Sequence, residues 1–415
     1  MKRLLTAALC ALCLLLVPGC GLSPLPAASA AASSAAASSA AVSSAPAASS
    51  SASASAAASA SSSAREPAAP THAERAAALT RTLTLEEKVG QLFFARCPAD
   101  SAAADAASFH LGGYLLFGRD FRDLTANEII QTLRAYQDAA QADTGIPLLL
   151  GTDEEGGTVV RVSSNPRLCK EPFRSPQQLL SDGGLEELVG ETREKDVLLR
   201  ALGINVNFAP VCDVSTDPGD FIHARSMGLD AKGTASCAAA VVAQMSQDGM
   251  GSVLKHFPGY GNNADTHTGV AVDARPLQTF ETSDFLPFRS ALAADEGAGG
   301  RTAAVLVCHN IVQCMDKTLP ASLSPAVHQI LRQQLGFGGV IMTDDLAMDA
   351  VKAYAQNGDA ATLALLAGND LLVTTDYRAQ IPQVLSAVES GALPESVIDE
   401  ACTRVLTWKM DLGLL

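Results

Sequence analysis

Gly251-Ser252-Val253-Leu254-Lys255-His256-Phe257-Pro258-Gly259-Tyr260-Gly261-Asn262-Asn263-Ala264-Asp265-Thr266-His267 is the stretch on which the fold turns. It begins as a short apolar run, Gly251 to Leu254, of the kind that forms a strand buried on both faces. That run ends in Lys255-His256 and opens into a Gly/Pro/Asn loop carrying Asp265-Thr266-His267. Cationic and titratable groups gathered at the carboxyl end of a buried strand are the arrangement in which α/β proteins keep their chemistry. A loop that merely turns the chain, with solvated histidines, is the plainer reading of the same residues.

Six further apolar runs repeat the pattern: Gly113–Phe117, Pro147–Gly151, Asn205–Phe208, Ala304–Val307, Gly339–Met342 and Asp370–Val373. Helical stretches separate them, which signals parallel strands joined by helices. Thr84-Leu85-Glu86-Glu87 has the spacing of a capping box, so a helix is expected to open there and run through Val89, Leu92 and Phe93. Seven strands are legible where a (β/α)8 barrel needs eight, and an irregular or reversed strand near Ala95, or one lost in the long loops, is expected to supply the last. An open doubly wound sheet is the competing architecture, but no Gly-x-Gly-x-x-Gly follows a strand to support a dinucleotide site.

Three more strand ends carry polar residues. Leu148-Leu149-Leu150 runs into Gly151-Thr152-Asp153-Glu154-Glu155-Gly156-Gly157, with Arg161 shortly after. Consecutive carboxylates there are costly unless they meet water or a cation. Asn205–Val214 brings Asp213, and Ala224-Arg225-Ser226-Met227-Gly228 follows it. Ile341-Met342-Thr343 delivers Asp344 and Asp345, of which side-chain alternation lets only one point into a barrel mouth.

These motifs resemble glycoside hydrolase family 3, in particular its β-N-acetylglucosaminidase subgroup, with Lys255–Gly261 and Asp265-x-His267 carrying the longest match. The resemblance spans about residues 75 to 415 and implies a single TIM-type barrel with a carbohydrate substrate, N-acetylglucosamine at the cleaved position, and neither metal nor cofactor. It implies sugar contacts from Asp153, Arg161, Arg225, Lys255 and His256, a nucleophile at Asp344, and an acid/base pair of His267 with Asp265. Asp213 is expected to hold Arg225 or the loop, and Asp345 to cap a helix or support its neighbour. Histidine suits the acid/base role because its ordinary pKa of about 6.5 lets it give and take a proton near neutrality. Asn262-Asn263-Ala264 leaves the loop one residue shorter than in many relatives. Trp408 stands close to the end of the sequence, so the barrel is expected to supply its own proton donor.

The amino terminus reads differently. Lys2-Arg3, an apolar stretch from Leu4 to Val17 and Val17-Pro18-Gly19-Cys20 have the layout of a lipoprotein signal peptide, with Cys20 as the lipidated residue. From Leu22 to Ala64 the chain is nearly all Ala and Ser, without charge, which suits a disordered tether. The expected organisation is therefore signal peptide 1–20, linker 21–70 and catalytic barrel 71–415, held by lipid on the outer face of a bacterial cytoplasmic membrane. The formal charge of −15 and the lack of any Lys/Arg block exclude nucleic acid as a natural partner.

Seven cysteines follow the leader with no Cys-x-x-Cys pair, an odd count that argues against a zinc site and a complete disulfide framework. Most are expected to be small buried hydrophobes. Three other functions fit some of these residues. His256, Asp265 and His267 have the composition of a two-His-one-carboxylate metal site. A histidine acid/base tolerates phosphate as the attacking group, which would make the protein a phosphorylase. A tethered lipoprotein could also bind sugar without cleaving it.

Overall fold

The computed structural model describes residues 69–265, 269–354 and 359–415. Cys20, the leader, the Ala/Ser segment up to residue 68 and His267 lie outside the described residues.

Eight parallel strands make up the main sheet: β1 (Phe93–Arg96), β2 (Gly113–Leu116), β3 (Leu149–Thr152), β4 (Val206–Asn207), β5 (Gly251–Phe257), β7 (Ala303–Val307), β9 (Ile341–Thr343) and β10 (Leu372–Thr374). Two short strands, β6 (Val272–Asp273) and β8 (Ile311–Val312), pair with each other in a separate parallel sheet. The main order is β10-β1-β2-β3-β4-β5-β7-β9. A parallel bridge between Met342 and Leu371, with Asp370 N–H donating to Ile341 O at 2.8 Å, joins β9 to β10 and closes the ring. Helices connect the strands, among them Ala126–Asp143, Pro176–Leu202, Ala231–Asp248 and Phe285–Gly297. This is the expected (β/α)8 barrel.

The eighth strand lies at Ala95 as expected, but it is neither reversed nor irregular. Phe94 and Ala95 pair in parallel with Gly113 and Tyr114 on one side and with Val373 and Thr374 on the other. The capping box forms, with Thr84 Oγ1 accepting from Glu87 N–H at 3.2 Å and Glu87 Oε2 accepting from Thr84 N–H at 2.7 Å. Its helix stops at Gln91, so Phe93 belongs to the strand and not to the helix.

Packing inside the barrel explains one glycine directly. The rings of Phe94 and Phe208 lie 5.3 Å apart, and a Cβ at Gly151 would stand 2.7 Å from the first and 2.9 Å from the second. Both clashes are closer than carbon atoms tolerate, so β3 comes near these rings only without a side chain. All seven described cysteines are unpaired, and five of them are buried as expected. Among the described residues no helix is long and apolar enough to cross a membrane. A cavity of about 460 Å³ opens at the amino ends of β7 and β9, lined by Phe337 and Trp408 among others. That is the end of the barrel opposite Lys255, His256 and Asp344.

Candidate active site

The three carboxylates after β3 are each satisfied differently. Asp153 Oδ1 accepts from Lys255 Nζ at 2.8 Å, and its Oδ2 lies 3.9 Å from Arg161 Nη2. Glu154, fully buried, makes no ion pair among the described residues and accepts instead from the backbone N–H groups of Arg161 (2.8 Å) and Val162 (2.7 Å) and from the Ser163 hydroxyl. Glu155 is held by Lys255 Nζ at 2.6 Å and by Arg225 through Nη2 at 2.7 Å and Nε at 3.0 Å. Burial raises the Glu155 pKa, but the Lys255 and Arg225 charges outweigh it and bring it down to about 2. The carboxylates therefore form no solvated turn.

Local geometry lets the chain fold back over these groups. Gly156 has φ +98°, and a Cβ there would lie 2.2 Å from Arg174 O. Only glycine fits that position. Asn207, at the end of β4, accepts from Glu154 N–H at 2.9 Å and donates to Glu154 O at 3.1 Å, which pins the turn to its neighbouring strand.

At the end of β5 the Lys255–His256 peptide is cis. His256 points its Nδ1 at Asp213 Oδ2, 2.7 Å away, and its Nε2 lies 3.4 Å from Arg225 Nη2. A guanidinium can only donate, so Nε2 accepts and the ring proton sits on Nδ1 facing Asp213. Asp213 also accepts from the backbone N–H of His256 (3.2 Å) and of Tyr260 (2.7 Å). It thus holds the loop and its histidine, and Arg225 is held by Glu155 instead.

The loop is braced from below. Arg275 pairs with Asp273 at 2.7 Å and Asp284 at 2.9 Å and donates to Gly259 O at 3.1 Å. Burial raises the Asp284 pKa to about 6 against the opposing pull of Arg275. Asn263 Nδ2 donates to Tyr260 O and to Asp273 Oδ2, both at 2.7 Å, and Tyr260 Oη donates to Ala264 O at 3.1 Å. Asp265, half-buried, is the last described residue before 266.

Across the mouth, Asp344 follows β9, with its N–H donating to Val307 O at 3.2 Å. Asp345 N–H donates to Asp344 Oδ1 at 2.8 Å. The Asp345 carboxylate accepts from Ala347 N–H (2.9 Å), Thr375 N–H (3.1 Å) and Thr375 Oγ1 (2.8 Å). It ties the end of β9 to the end of β10 and caps no helix, since Met348 holds the cap position of the next one. The thiol of Cys308, raised chiefly by burial, is raised further by both Asp213 and Asp344, which stand on either side of β7.

Asp153, Arg161, Arg225, Lys255 and His256 thus come together in one charged network, and Asp344 lies across the mouth. Glu154, Glu155, Asn207 and Arg275 join the scaffold without having been singled out in the sequence. The run of three acids was the only signal for Glu154 and Glu155, and nothing in the sequence marked the roles of Asn207 and Arg275. Among the described residues no group of three His, Cys, Asp or Glu side chains could hold a metal ion.

Chemically, the network offers converging donors and acceptors. Among the described residues Lys255 uses two of its three protons on Asp153 and Glu155 and keeps one, and Asp153 Oδ2 meets an arginine only at 3.9 Å. Such a set suits vicinal hydroxyls, because every buried polar group of a polyol needs a partner.

Known proteins resemble this chain over most of its length. The model of the glycosyl hydrolase family 3 N-terminal domain matches residues 84–408. The Beta-hexosaminidase LpqI of Mycobacterium tuberculosis is 31% identical over 353 residues, 82% of this chain and 86% of the relative. An uncharacterized secreted glycosyl hydrolase of Arthroderma benhamiae is 28% identical over 324 residues, 74% of this chain and 87% of the relative. The solved glycoside hydrolase family 3 β-N-acetylglucosaminidase of Paenibacillus sp. str. FPU-7 superposes with a TM-score of 0.73 at 31% identity, covering 80% of this chain and 63% of that one. A parallel barrel, a family model matched over most of its length and relatives that share the fold make this chain a member of glycoside hydrolase family 3.

Proposed function

We propose that the protein is an exported, retaining β-N-acetylglucosaminidase that removes terminal β-linked N-acetylglucosamine from cell-wall or chitin-type glycans. The observation that carries this reading is the Asp153–Lys255–Glu155–Arg225–His256 network at the carboxyl ends of the strands, together with relatives at about one-third identity that are named a beta-hexosaminidase and a β-N-acetylglucosaminidase.

In this mechanism the Asp344 carboxylate attacks the anomeric carbon, and the bond to the leaving oxygen breaks as His267 protonates that oxygen. Asp265 orients the imidazole and favours its charged form. His267 then takes a proton from water, which attacks the glycosyl ester and returns Asp344 to its free carboxylate. Asp153, Arg161, Arg225, Lys255 and His256 bind the hydroxyls of the sugar being released, and Asp213 keeps His256 in the tautomer that can accept from Arg225.

Export and lipidation at Cys20 both rest in this reading on the layout of residues 1–20, and export also on the word secreted in one relative's name. Residues 21–70 serve as a tether in this reading and 71–415 as the barrel. Cys20→Ala should release the protein from the membrane fraction, and finding the native protein in the cytosol with an uncleaved terminus would refute this part.

Turnover of a chromogenic β-N-acetylglucosaminide, beside the β-glucoside and β-xyloside and with or without phosphate, tests the activity. The N-acetylglucosaminide should be cleaved fastest, with no sugar phosphate formed. Asp344→Asn should abolish turnover in a folded protein, and a 5-fluoro glycoside should label the peptide containing Asp344. Label on Asp345 or Asp153 would move the nucleophile.

A further inference from the structure

Eight large apolar side chains remain well exposed among the described residues, and they divide by location. Five lie on the helices Ala126–Asp143, Pro176–Leu202 and Ala360–Ala367, where scattered apolar exposure is ordinary. The other three, Phe221, Val270 and Val272, lie in the segments that follow β4 and β5, the two strands that supply Asp213, Lys255 and His256. Phe221 is the single aromatic of the eight.

Its ring continues a line of rings that begins in the charged network. His256 is 5% exposed and meets Tyr260 at 5.6 Å and 70°. Tyr260 is 3% exposed and meets Phe221 at 5.7 Å and 39°. Phe221 is 42% exposed. The line therefore runs from a buried hydroxyl-binding group out to an open aromatic face.

The segment around Phe221 is held on both sides. Ile222 is fully buried against Val211 and Tyr260. Asp220 accepts from Ser215 Oγ at 2.7 Å, and the backbone N–H groups of Arg225 and Ser226 donate to Ile222 O at 3.0 and 3.1 Å. One side of the Phe221 ring is packed on Tyr260 and the rest is open to water, an exposed aromatic surface on a braced turn that an amphipathic ligand would cover.

We propose that Phe221 is the platform on which the leaving-group sugar of the substrate stacks, which rests on the glycosidase reading above. A pyranose ring has an apolar face of C–H groups and directs its hydroxyls outward, so an aromatic surface at the rim complements the polar network further in. The position fits the chemistry. A proton donor must stand beside the glycosidic oxygen, and the loop that leads to Asp265 starts from Tyr260, against which Phe221 packs. The sugar beyond that oxygen leaves the charged network and meets this ring. Binding energy from such a remote contact is available to the reacting centre.

The test compares two substrates whose leaving oxygens are of similar acidity: the β-1,4-linked N-acetylglucosamine disaccharide, and the trifluoroethyl β-N-acetylglucosaminide, which has no ring to stack. In Phe221→Ala the ratio of kcat/KM for the disaccharide to that for the trifluoroethyl glycoside should fall about tenfold, the effect of losing a part-buried aromatic contact. Phe221→Trp should restore the ratio. An unchanged ratio in Phe221→Ala, with wild-type protein cleaving both substrates, overturns the platform and leaves the glycosidase reading standing. Wild-type protein that cleaves neither overturns both.

Discussion

Two buried lysines at opposite ends of the barrel show how differently one side chain is used. Lys255, at the carboxyl end of β5, is 2% exposed and lies between two carboxylates, Glu155 at 2.6 Å and Asp153 at 2.8 Å. Lys409, on the helix Glu395–Asp411, is fully buried and donates to one neutral group, Gln91 Oε1, at 2.6 Å. Gln91 ends the helix that leads into β1, so this contact sits at the amino end of the barrel. Without a carboxylate partner, burial brings the Lys409 pKa down to about 7. The catalytic end keeps its buried charges by pairing them, whereas the opposite end holds a lysine that tends to give up its proton. The first arrangement supports polar chemistry, and the second serves packing.

The strongest way to break the comparison is to remove the Lys255 charge. Lys255→Met leaves Glu155 and Asp153 short of a cation, and stripping one partner from a buried ionic network costs about 3–5 kcal/mol. We expect a matching loss in denaturant titration and a fall in kcat/KM of about a hundredfold or more, since the donor proposed to bind the sugar goes as well. Adding Glu155→Gln should recover part of the stability but none of the activity. Recovery of both would mean that Lys255 serves only to balance charge. Glu155 itself sets an acid limit. Its folded pKa of about 2 lies below the ordinary 4.5, so its stabilising contribution is complete above pH 4.5 and is lost as the pH falls toward 2.

The two ends also differ in how much of them is legible in sequence. Seven barrel strands stand out as apolar runs because both faces of each are buried. β1 is harder to see because Phe93 follows Gln91 after a single residue, so the helical spacing of Val89 and Leu92 continues into the strand without a break. Direction is not written in a four-residue run at all, which is why a reversed strand fitted the sequence equally well. At the mouth, Lys255, His256, Asp153 and Arg225 could be picked out as residue types, but not their pairings. Glu155 and Arg225 are 70 residues apart, and only the adjacency of β3 with β4 and β4 with β5 brings them together. That Glu154 is satisfied by backbone N–H groups depends on a turn shape set by Gly156 and Gly157, which three acidic letters do not reveal. Lys409 could not have been flagged, since a lysine in an amphipathic helix normally faces water.

A gentler test changes Lys409. Its folded pKa of about 7 lies below the ordinary 10.5, so the unfolded chain binds more protons between those values and stability rises with pH across that window. Below pH 7 the burial cost is present in full. Lys409→Met removes it, although Gln91 Oε1 then loses its donor, an offset that does not vary with pH. The Tm of the variant relative to wild type should therefore be highest near pH 6 and decline toward pH 10, by several degrees. A difference that stays flat would mean that Lys409 keeps its proton when buried.

Asp196 sharpens the same contrast with the opposite sign. It lies on the helix Pro176–Leu202, 1% exposed, and burial followed by its neighbour Asp248 raises its pKa to about 8, against the opposing pull of Lys195 and Arg200. The folded protein then holds a proton that the unfolded chain releases above about 3.8, so stability contributed by this group is complete below that value and is lost as the pH rises to 8. Asp196→Asn keeps the shape and removes the titration. It should change Tm little at pH 4 and raise it by several degrees at pH 8.5, where wild type carries the full cost of a buried carboxylate. Because Lys409→Met gains most at low pH and Asp196→Asn at high pH, the double variant should have a flatter pH profile than either single one. Additive slopes would show that the two groups titrate independently, as expected for unpaired charges set apart from the catalytic network, and a non-additive result would couple them through the barrel.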